Sequence, residues 1–238
     1  MKVFLISLKT KKYRRQRAVQ LLNEQGLDYE IIDAVDGRLG EHSLLQRYDE
    51  EKFILHRGRK ALAGELGCYA SHILAWEKAI EYNQPIIVLE DDFILDANFQ
   101  YVISIIKDWT VKRHFIRLEP WRTKLFYTVE NKCEVTLVKF LKVPQCATGY
   151  IITPKCAKAF INASDKIMLP VDVFMRYTYL HKQAIYGVQP SVVYLGGDEN
   201  STIGCRKQKI KNPVIKIKKA VIRVYSATRC AFVNVISR

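Results

Sequence analysis

The feature that most constrains this chain is a short apolar run that ends in three consecutive acidic residues. A proline and four branched apolar residues occupy positions 85–89, and Glu90, Asp91 and Asp92 follow at once. Uninterrupted branched apolar residues are typical of a strand that is buried on both faces in the middle of a sheet. Open α/β sheets bind their ligands at the C-terminal ends of such strands. The pattern therefore predicts an α/β fold with a functional site at the acidic triplet.

Two interpretations of the triplet stay open on these residues alone. Because side chains alternate along a strand, Glu90 and Asp92 are predicted to point one way and Asp91 the other. Carboxylates so placed repel each other unless a cation lies between them, and Mg²⁺ or Mn²⁺ there would also bind a diphosphate. In the alternative, Asp91 or Asp92 caps a helix that begins at Phe93.

The positive charge of the chain is concentrated at its C-terminal end. The 238 residues carry a formal net charge of +14, of which ten positive charges and no negative ones lie in 206–238. The first 205 residues therefore carry only +4. A nearly balanced body without a nucleic-acid-binding motif argues against nucleic acid as a partner. We divide the chain into a body, 1–203, and a basic tail, 204–238.

The tail has the pattern of a basic amphipathic helix. Val214, Ile217, Val221 and Val224 follow helical spacing among several lysines and Arg223. Such a helix suits the anionic headgroups of a membrane surface. In the alternative, it is a solvated charged helix that packs on the core. The apolar runs fall well short of the roughly 20 residues that span a bilayer, and no signal peptide is apparent, so a cytoplasmic protein is expected.

Residues 61–82 are predicted to form a long helix with an unusual beginning. Its first turns combine small residues with a stripe of polar ones, namely Gly64, Gly67 and Ser71 with Glu65, Cys68 and His72. Small residues let a ligand approach the helix backbone, and amides at a helix N-terminus suit anions. Close helix–sheet packing is the alternative, with the histidine merely hydrogen-bonded in place. A zinc site is a third possibility, although a fourth ligand is not evident.

Alternation and turn signals divide the rest of the body into strands and helices. Strands are predicted over 2–8, 29–34, 114–118, 124–128, 134–140, 145–153, 184–188 and 191–195, and helices over 11–25, 98–109 and 154–163. The opening βαβ order is typical of a doubly wound sheet, and the two strands within 124–140 predict an antiparallel addition. Asp172 falls in the first turn of a further helix, where a structural cap is the alternative to a catalytic role.

Several blocks of the sequence, in this order, resemble glycosyltransferase family 25, the lipopolysaccharide-biosynthesis transferases that are related to collagen galactosyltransferases. The blocks are 3–8 with Arg14 and Arg15, then 34–37, 64–72, 89–92, 148–152, 170–172 and 198–203. The G-E-x-G-C-x-x-S-H block together with the later E-D-D is the specific part. Ser7 departs from the pattern, because family members more often have Asn there.

The resemblance implies a GT-A-like nucleotide-binding fold, with a central, mostly parallel sheet, helices on both faces and an antiparallel addition. It also implies a UDP-sugar donor and Mn²⁺ or Mg²⁺ held by Glu90 and Asp92. The residues that would contact the donor are Ser7, Arg14, Asp36, Gly67, Ser71, His72, Glu90, Asp91 and Asp198.

The family further implies an inverting transfer that needs a base at the acceptor hydroxyl. Asp172 is the first candidate for this base and Glu65 the second, while Asp198 and His181 are candidates for further metal or donor contacts. The expected reaction moves galactose from UDP-galactose to a lipid-linked oligosaccharide acceptor, with UDP-glucose as the alternative donor. The enzyme would lie peripherally on the inner face of the cytoplasmic membrane. The rival hypotheses are a non-catalytic, basic polyanion- or membrane-binding protein and an inactive membrane scaffold.

Overall fold

The computed structural model describes residues 1–123, 125–196 and 212–236. The strands β1 to β10 are, in chain order, Val3–Ser7, Tyr29–Asp33, Ile86–Glu90, Phe93–Leu95, Phe115–Arg117, Phe126–Lys132, Val135–Phe140, Gly149–Ile152, Tyr186–Gln189 and Val193–Leu195. The helices α1 to α8 are Lys12–Glu24, Glu50–Arg57, Ala63–Tyr82, Phe99–Trp109, Pro154–Asn162, Val171–Arg176, Thr178–His181 and Pro213–Ile236. A short 3₁₀ helix, Ser43–Arg47, precedes α2.

Within the described residues, the body is built on an eight-stranded sheet in the order β2-β1-β3-β8-β5-β9-β7-β6. Strand β1 pairs in parallel with β2 and β3, and β5 with β9, whereas the other neighbours are antiparallel. The predicted α/β class with an antiparallel addition is confirmed. The sheet is mixed rather than mostly parallel, because β8, which follows the β6–β7 hairpin, inserts between β3 and β5 and runs antiparallel to both.

Strand β3 is the central strand that the apolar run predicted. Ile86 and Val88 join the core on the side of α3 and α5, whereas Ile87 and Leu89 join the core on the side of α1 and α4. All four side chains are buried. Burial of each contributes about 1.5–3 kcal/mol, so the strand is held in place from both faces.

The chain after Asp92 turns into a strand rather than a helix. Phe93–Leu95 pairs antiparallel with β10 in a separate two-stranded sheet, and α4 begins only at Phe99. Phe93 is fully buried against the core that contains Leu89. The helix-capping interpretation of Asp91 and Asp92 is therefore wrong, because both residues lie in a turn between two strands.

Helix α8 packs against the body along one side. Lys219 Nζ donates to the carbonyl oxygen of Arg57 at 3.0 Å, and Asn234 Nδ2 donates to that of Leu141 at 2.9 Å. Ser226, on the same side of the helix, is buried. Among the helices of the described chain, not one has the length and apolar character needed to cross a bilayer.

Candidate active site

The carboxyl ends of β1 and β3, the loop after β2 and the first turns of α3 enclose a pocket of about 110 Å³. Parallel pairing of β1 with β2 and β3 brings these distant segments together. The predicted site residues that line the pocket are Ser7, Arg14, Asp36, Ser71, Glu90, Asp91 and Asp92. A pocket therefore lies at the strand ends where the sequence predicted a site, and it is the candidate site.

Asp91 and Asp92 converge on one arginine. Arg14 Nη2 lies 2.5 Å from Asp91 Oδ1 and 3.2 Å from Asp92 Oδ2. Ser7 Oγ donates to Asp91 Oδ2 at 2.7 Å, so Asp91 is fully engaged by the protein. The expected alternation of the three acids stops at Glu90, because β3 ends there and the turn lets both aspartates reach Arg14.

Glu90 stands at the end of a buried chain of hydrogen bonds. Trp76 Nε1 donates to Tyr150 Oη at 3.0 Å, Tyr150 Oη lies 2.7 Å from His72 Nδ1, and His72 Nε2 lies 2.9 Å from Glu90 Oε1. Since the carboxylate can only accept, His72 carries its proton on Nε2, and Nδ1 accepts from Tyr150. Cys68 Sγ donates to the same oxygen at 3.4 Å. The contacts leave the other oxygen of Glu90 to the pocket.

The two carboxylates of the pair Glu90 and Asp92 have opposite pKa shifts. Burial raises the pKa of Glu90, but the hydrogen bond and charge interaction with His72, followed by the hydrogen bond from Cys68 and the charge of Arg14, outweigh this effect, so its pKa lies below the ordinary value. Burial raises the pKa of Asp92 to about 6, and the neighbouring Glu90 adds to the rise while Arg14 opposes it. Asp92 is thus the acid whose negative charge the pocket compensates least.

The donor atoms at the triplet fit a hard divalent cation. Asp92 Oδ1 is buried and has no hydrogen-bond partner within the described chain. Buried polar atoms are almost always paired, so an orphaned carboxylate oxygen in a pocket calls for a ligand. Mg²⁺ and Mn²⁺ prefer such oxygen ligands. A separate group, Cys68, His72 and Glu90, also brings three ligand atoms within 4.8 Å of one another, but its members are engaged in the chain of hydrogen bonds to Glu90.

Close backbone contact shapes the wall of the pocket that α3 provides. A Cβ atom added to Gly67 would lie 2.4 Å from the Val35 carbonyl oxygen and 2.6 Å from the Gly37 nitrogen. Ser71 Oγ accepts from the Val35 amide at 2.9 Å and donates to the Gly67 carbonyl at 2.7 Å. Gly67 and Ser71 therefore hold the loop after β2 against α3. This is the close packing that the sequence analysis gave as the alternative to ligand binding at the start of this helix. Only Ser71 of the two also lines the pocket.

Asp36 and Arg38 form the rim of the pocket. Arg38 Nε and Nη2 donate to the two carboxylate oxygens of Asp36 at 2.8 Å and 2.7 Å. This hydrogen bonding lowers the pKa of Asp36. Lys11 and Arg38 also line the pocket, and the sequence analysis missed both. Arg38 could have been found from its position two residues after Asp36 in a turn.

Glu65 is held as a structural residue, although it was the second candidate for the base. It is 3% exposed, and its two oxygens accept from Arg59 Nη2 at 2.6 Å and Arg59 Nη1 at 2.7 Å. One of these oxygens also accepts from the Leu62 amide at 3.0 Å, which caps α3. A carboxylate so fully bound by an arginine and a helix end is a poor proton acceptor, so we do not carry Glu65 forward as a base.

Asp172 lies in the first turn of α6, outside the pocket lining. Its Oδ2 accepts from Gln145 Nε2 at 2.7 Å, and its Oδ1 accepts from the Val173 amide at 2.8 Å. Asp172 is one of the carboxylates that, after burial and Glu90, raise the pKa of Cys68 well above its ordinary value. Since Cys68 lines the pocket, Asp172 lies within electrostatic reach of it. Gln145 is a neighbour that sequence analysis gave no reason to select.

Of the two remaining candidates, His181 does not join the site. His181 is buried against Phe160, with ring centroids 4.4 Å apart, and its Nε2 donates to the Met175 carbonyl at 3.1 Å. It packs in the core, so the prediction of a metal or donor contact is wrong for this residue. Asp198 lies outside the described residues. The last described residue before that gap, Gly196, donates its amide to the Asp92 carbonyl at 2.7 Å.

Comparison with known proteins places the chain among glycosyltransferases. It is 30% identical over 191 residues to procollagen galactosyltransferase 1-A of Xenopus laevis, which covers 74% of this chain and 31% of that protein. A protein of Haemophilus influenzae that has only the general name of a glycosyltransferase is 29% identical over 189 residues, 75% of this chain and 64% of that protein. The chain spans about a third of the length of the procollagen galactosyltransferases that it matches.

Similarity to solved structures is remote. A glycosyltransferase involved in the glycosylation of the major capsid of PBCV-1 aligns with a TM-score of 0.37 and 8% identity, over 68% of this chain and 64% of that chain. Such a score carries no argument about function.

The chain thus combines similarity to proteins named as glycosyltransferases with a mixed α/β sheet and an acidic pocket at its strand ends. The model of glycosyltransferase family 25, described as an LPS biosynthesis protein, matches residues 1–175. This chain belongs to glycosyltransferase family 25. The matched range contains the acidic triplet and Asp172, and it ends before α8.

Proposed function

We propose that this enzyme transfers galactose from UDP-galactose to an acceptor sugar of a lipooligosaccharide or lipopolysaccharide, with inversion and with the help of a divalent cation. The observation that carries the proposal is the buried Asp92 Oδ1 beside Glu90, which has no partner among the described residues and lies in a pocket that Lys11, Arg14 and Arg38 also line. Acids that need a cation, next to basic side chains that suit phosphate, match the demands of a nucleotide diphosphate. Galactose follows the printed names of the procollagen relatives.

Glu90 and Asp92 would hold Mn²⁺ or Mg²⁺. Asp91 would act behind them, because Ser7 and Arg14 already engage both of its oxygens. The cation would stabilise the negative charge that develops on the leaving UDP. The hydrogen-bond chain through His72 keeps Glu90 ionised and oriented, since it lowers the pKa of that carboxyl.

Asp172 is the proposed general base. It would take the proton of the acceptor hydroxyl while the acceptor oxygen forms its bond to the sugar C1 and the bond from C1 to the UDP oxygen breaks. Gln145 orients the carboxylate, because its amide donates to Oδ2. The other oxygen accepts from the Val173 amide, so the helix end also fixes the direction in which the carboxylate points.

The tail, 204–238, would hold the enzyme on an anionic membrane surface. Val214, Ile217, Val221 and Val224 are 55%, 65%, 63% and 67% exposed, although the opposite side of α8 packs on the body. Lys216 and Lys218 are exposed on the same helix. An apolar stripe flanked by lysines suits a bilayer interface with anionic headgroups. The inner side of α8 packs on the body, as the alternative in the sequence analysis expected. The membrane proposal concerns only its outer side, which is exposed.

The test is the release of UDP from UDP-galactose, UDP-glucose and UDP-N-acetylglucosamine, each with Mn²⁺ and with a chelator. We expect release from UDP-galactose that the chelator abolishes. Preference for UDP-glucose would replace galactose by glucose and keep the rest of the proposal. If calorimetry detects no Mn²⁺-dependent binding of UDP, the proposed function is wrong, and a non-catalytic binding protein becomes the better description.

A further inference from the structure

A second, larger cavity lies between α8 and the body. It encloses about 790 Å³, within the range of small-molecule sites. The end of α2, the segment around Gln145 and helix α6 form its floor, and the inner side of α8 forms its other wall. Within the described ranges of the chain, it shares no lining residue with the donor pocket.

The wall of this cavity is strongly basic. Among the described residues that line it there is no Asp or Glu, whereas the Lys and Arg residues are Arg57, Arg59, Lys142, Arg176, Lys219 and Arg223. Glu65 neutralises Arg59. For Arg57, Lys142, Arg176 and Arg223, the described chain records no ion pair. Like charges gathered around a concave surface repel each other and focus a positive field into it, and a bound anion relieves the repulsion.

Two buried polar atoms at the end of α2 also lack partners. His56 Nδ1 and Arg57 Nε are buried without a hydrogen bond within the described chain. Both residues line the cavity. Unpaired buried polar atoms are rare in native proteins and indicate a missing ligand or water. This observation is independent of the charge of the wall and points into the same space.

The cavity opens beside the proposed base. Gln145 lines it, and the Nε2 of this residue donates to Asp172 Oδ2 at 2.7 Å. Val173, the residue after Asp172, also lines it. Asp172 also lies within electrostatic reach of Cys68, which lines the donor pocket. Asp172 is therefore connected to the cavity through Gln145 and lies near the donor pocket through Cys68.

We propose that this cavity is the acceptor site and that its arginines bind a phosphate group carried by the acceptor sugar. The proposal rests on the proposed function, since an acceptor is needed only if the enzyme transfers a sugar. Guanidinium groups bind phosphate through paired, charge-assisted hydrogen bonds, and several of them around one cavity select a dianion over a neutral sugar. Helix α8 would then have two roles, because its outer side would bind the membrane and its inner side would line the acceptor site.

The experiment measures the binding of glucose 6-phosphate and of uncharged glucose to the full chain by calorimetry. We expect glucose 6-phosphate to bind at least tenfold more tightly than glucose. Combined Arg176→Gln and Arg223→Gln substitutions should remove this preference. Arg229→Gln is the matched control, because Arg229 lies on the same helix but outside the cavity and contacts Tyr225. Lys142→Gln tests the opposite wall without altering any helix and should lower the preference as well.

Equal affinity for the two sugars in the wild-type chain, or an unchanged preference in the variants, would overturn the assignment. Phosphatidylglycerol vesicles distinguish the source of the phosphate. If the double variant loses vesicle binding and keeps its affinity for glucose 6-phosphate, the cavity is a lipid-headgroup site and the acceptor assignment is wrong. A parallel titration with UDP and Mn²⁺ tests the proposed function separately from the cavity. If UDP does not bind, the proposed function is wrong, and the glucose 6-phosphate titration still shows whether the cavity binds phosphate.

Discussion

At the scale of single residues, Asp92 is the group on which the proposed chemistry depends most. Its neighbours Glu90 and Asp91 are negatively charged, it shares Arg14 with Asp91, and its Oδ1 is buried without a partner in the described chain. In the folded, metal-free protein, the negative charge of an ionised Asp92 therefore lowers the free energy of unfolding at neutral pH. Metal centres commonly destabilise the fold when no cation is bound, because the charged ligands that function requires repel each other.

Asp92→Asn should stabilise the metal-free protein and abolish its response to metal. Removal of the repulsion is expected to raise the free energy of unfolding at pH 7.5 in chelator by roughly 1–2 kcal/mol, because each unit of a raised pKa corresponds to about 1.4 kcal/mol. The wild-type protein should gain thermal stability from Mn²⁺ with UDP, and the variant should not. A variant that is stabilised by Mn²⁺ and UDP as strongly as the wild type would contradict the assignment of Asp92.

Tyr150→Phe should weaken donor binding, although Tyr150 is not among the residues that line the donor pocket. The hydroxyl that donates to His72 Nδ1 is lost, so the imidazole no longer has a fixed tautomer with which to donate to Glu90. Loss of such an outer partner typically reduces metal affinity by about 10–100-fold. The measurement is calorimetric titration of UDP with Mn²⁺. Trp76→Phe removes the hydrogen bond to Tyr150 Oη and also leaves space in the core, because Trp76 is fully buried, so its melting temperature is measured together with its UDP affinity.

At the scale of elements, the close contact between α3 and the loop after β2 determines the shape of the donor pocket. Gly67 and Gly37 are in direct backbone contact, and Ser71 ties the loop to the helix. The small residues of the 64–72 block thus act through packing. They matter for the donor because Val35 and Asp36, on the same loop, line the pocket.

Gly67→Ala should therefore separate the loop from the helix. The added methyl group would lie well under 3.0 Å from the backbone at Val35 and Gly37, and backbone cannot move aside as a flexible side chain can. Overpacking of this kind costs about 1–3 kcal/mol. We expect a lower melting temperature and weaker UDP binding, with Gly67→Val worse than Gly67→Ala in both measurements. An alanine variant with unchanged UDP affinity would show that the loop does not position the donor.

At the scale of the whole molecule, helix α8 presents an apolar stripe to solvent while its other side packs on the body. Substitution of Ile217, Val221 and Val224 by serine should lower the partition of the protein onto vesicles rich in phosphatidylglycerol by more than tenfold. Each such side chain contributes about 1 kcal/mol even if it is only partly buried in the interface. Turnover with a water-soluble acceptor should persist. Val111→Ser is the matched control, because Val111 is 76% exposed on another surface.

A second outcome is possible for this stripe, and the same variants resolve it. If the wild-type chain does not bind anionic vesicles but sediments as a dimer that the triple serine variant dissociates, the stripe is a contact between two copies and the membrane proposal is wrong.

His181 should make a contribution to the stability of the protein that decreases in mild acid. Burial lowers the pKa of His181 to about 4 from its ordinary value of 6.5. Between these values the unfolded chain binds a proton that the folded chain does not, so the free energy of unfolding decreases as the pH falls through this range, by about 3 kcal/mol in total. Asp92 titrates in the same range with the opposite sign, so a comparison with a variant is needed to isolate the histidine.

His181→Gln supplies that comparison. The amide keeps a donor and an acceptor but does not titrate, so its urea-derived free energy of unfolding should depend less steeply on pH between 6.5 and 4.5. Identical slopes for the wild type and the variant would show that His181 becomes protonated in the folded state at little cost.

Much of the fold and part of the site could be predicted from the sequence. The apolar run before Glu90 is buried on both faces, and the small-residue helix and the acidic triplet meet at the donor pocket. Glu65 and His181 show the limit of this approach. Their sequence positions are compatible with catalysis, but Arg59 binds the first and an aromatic core surrounds the second. Contacts that form only when the chain folds cannot be read from the spacing of a single segment.

The sequence by itself determined most of the strands and helices, although not β4, and it determined that both sides of β3 are buried. These properties follow from local periodicity and from the hydrophobic effect. The sequence also determined the family and the position of the acids at a strand end. Only the tertiary structure decided that β8 inserts antiparallel beside β3, that Asp91 and Asp92 share Arg14, and that α8 encloses a basic cavity next to Asp172. These features depend on contacts between segments far apart in the chain, and the packing of the whole molecule selects such contacts.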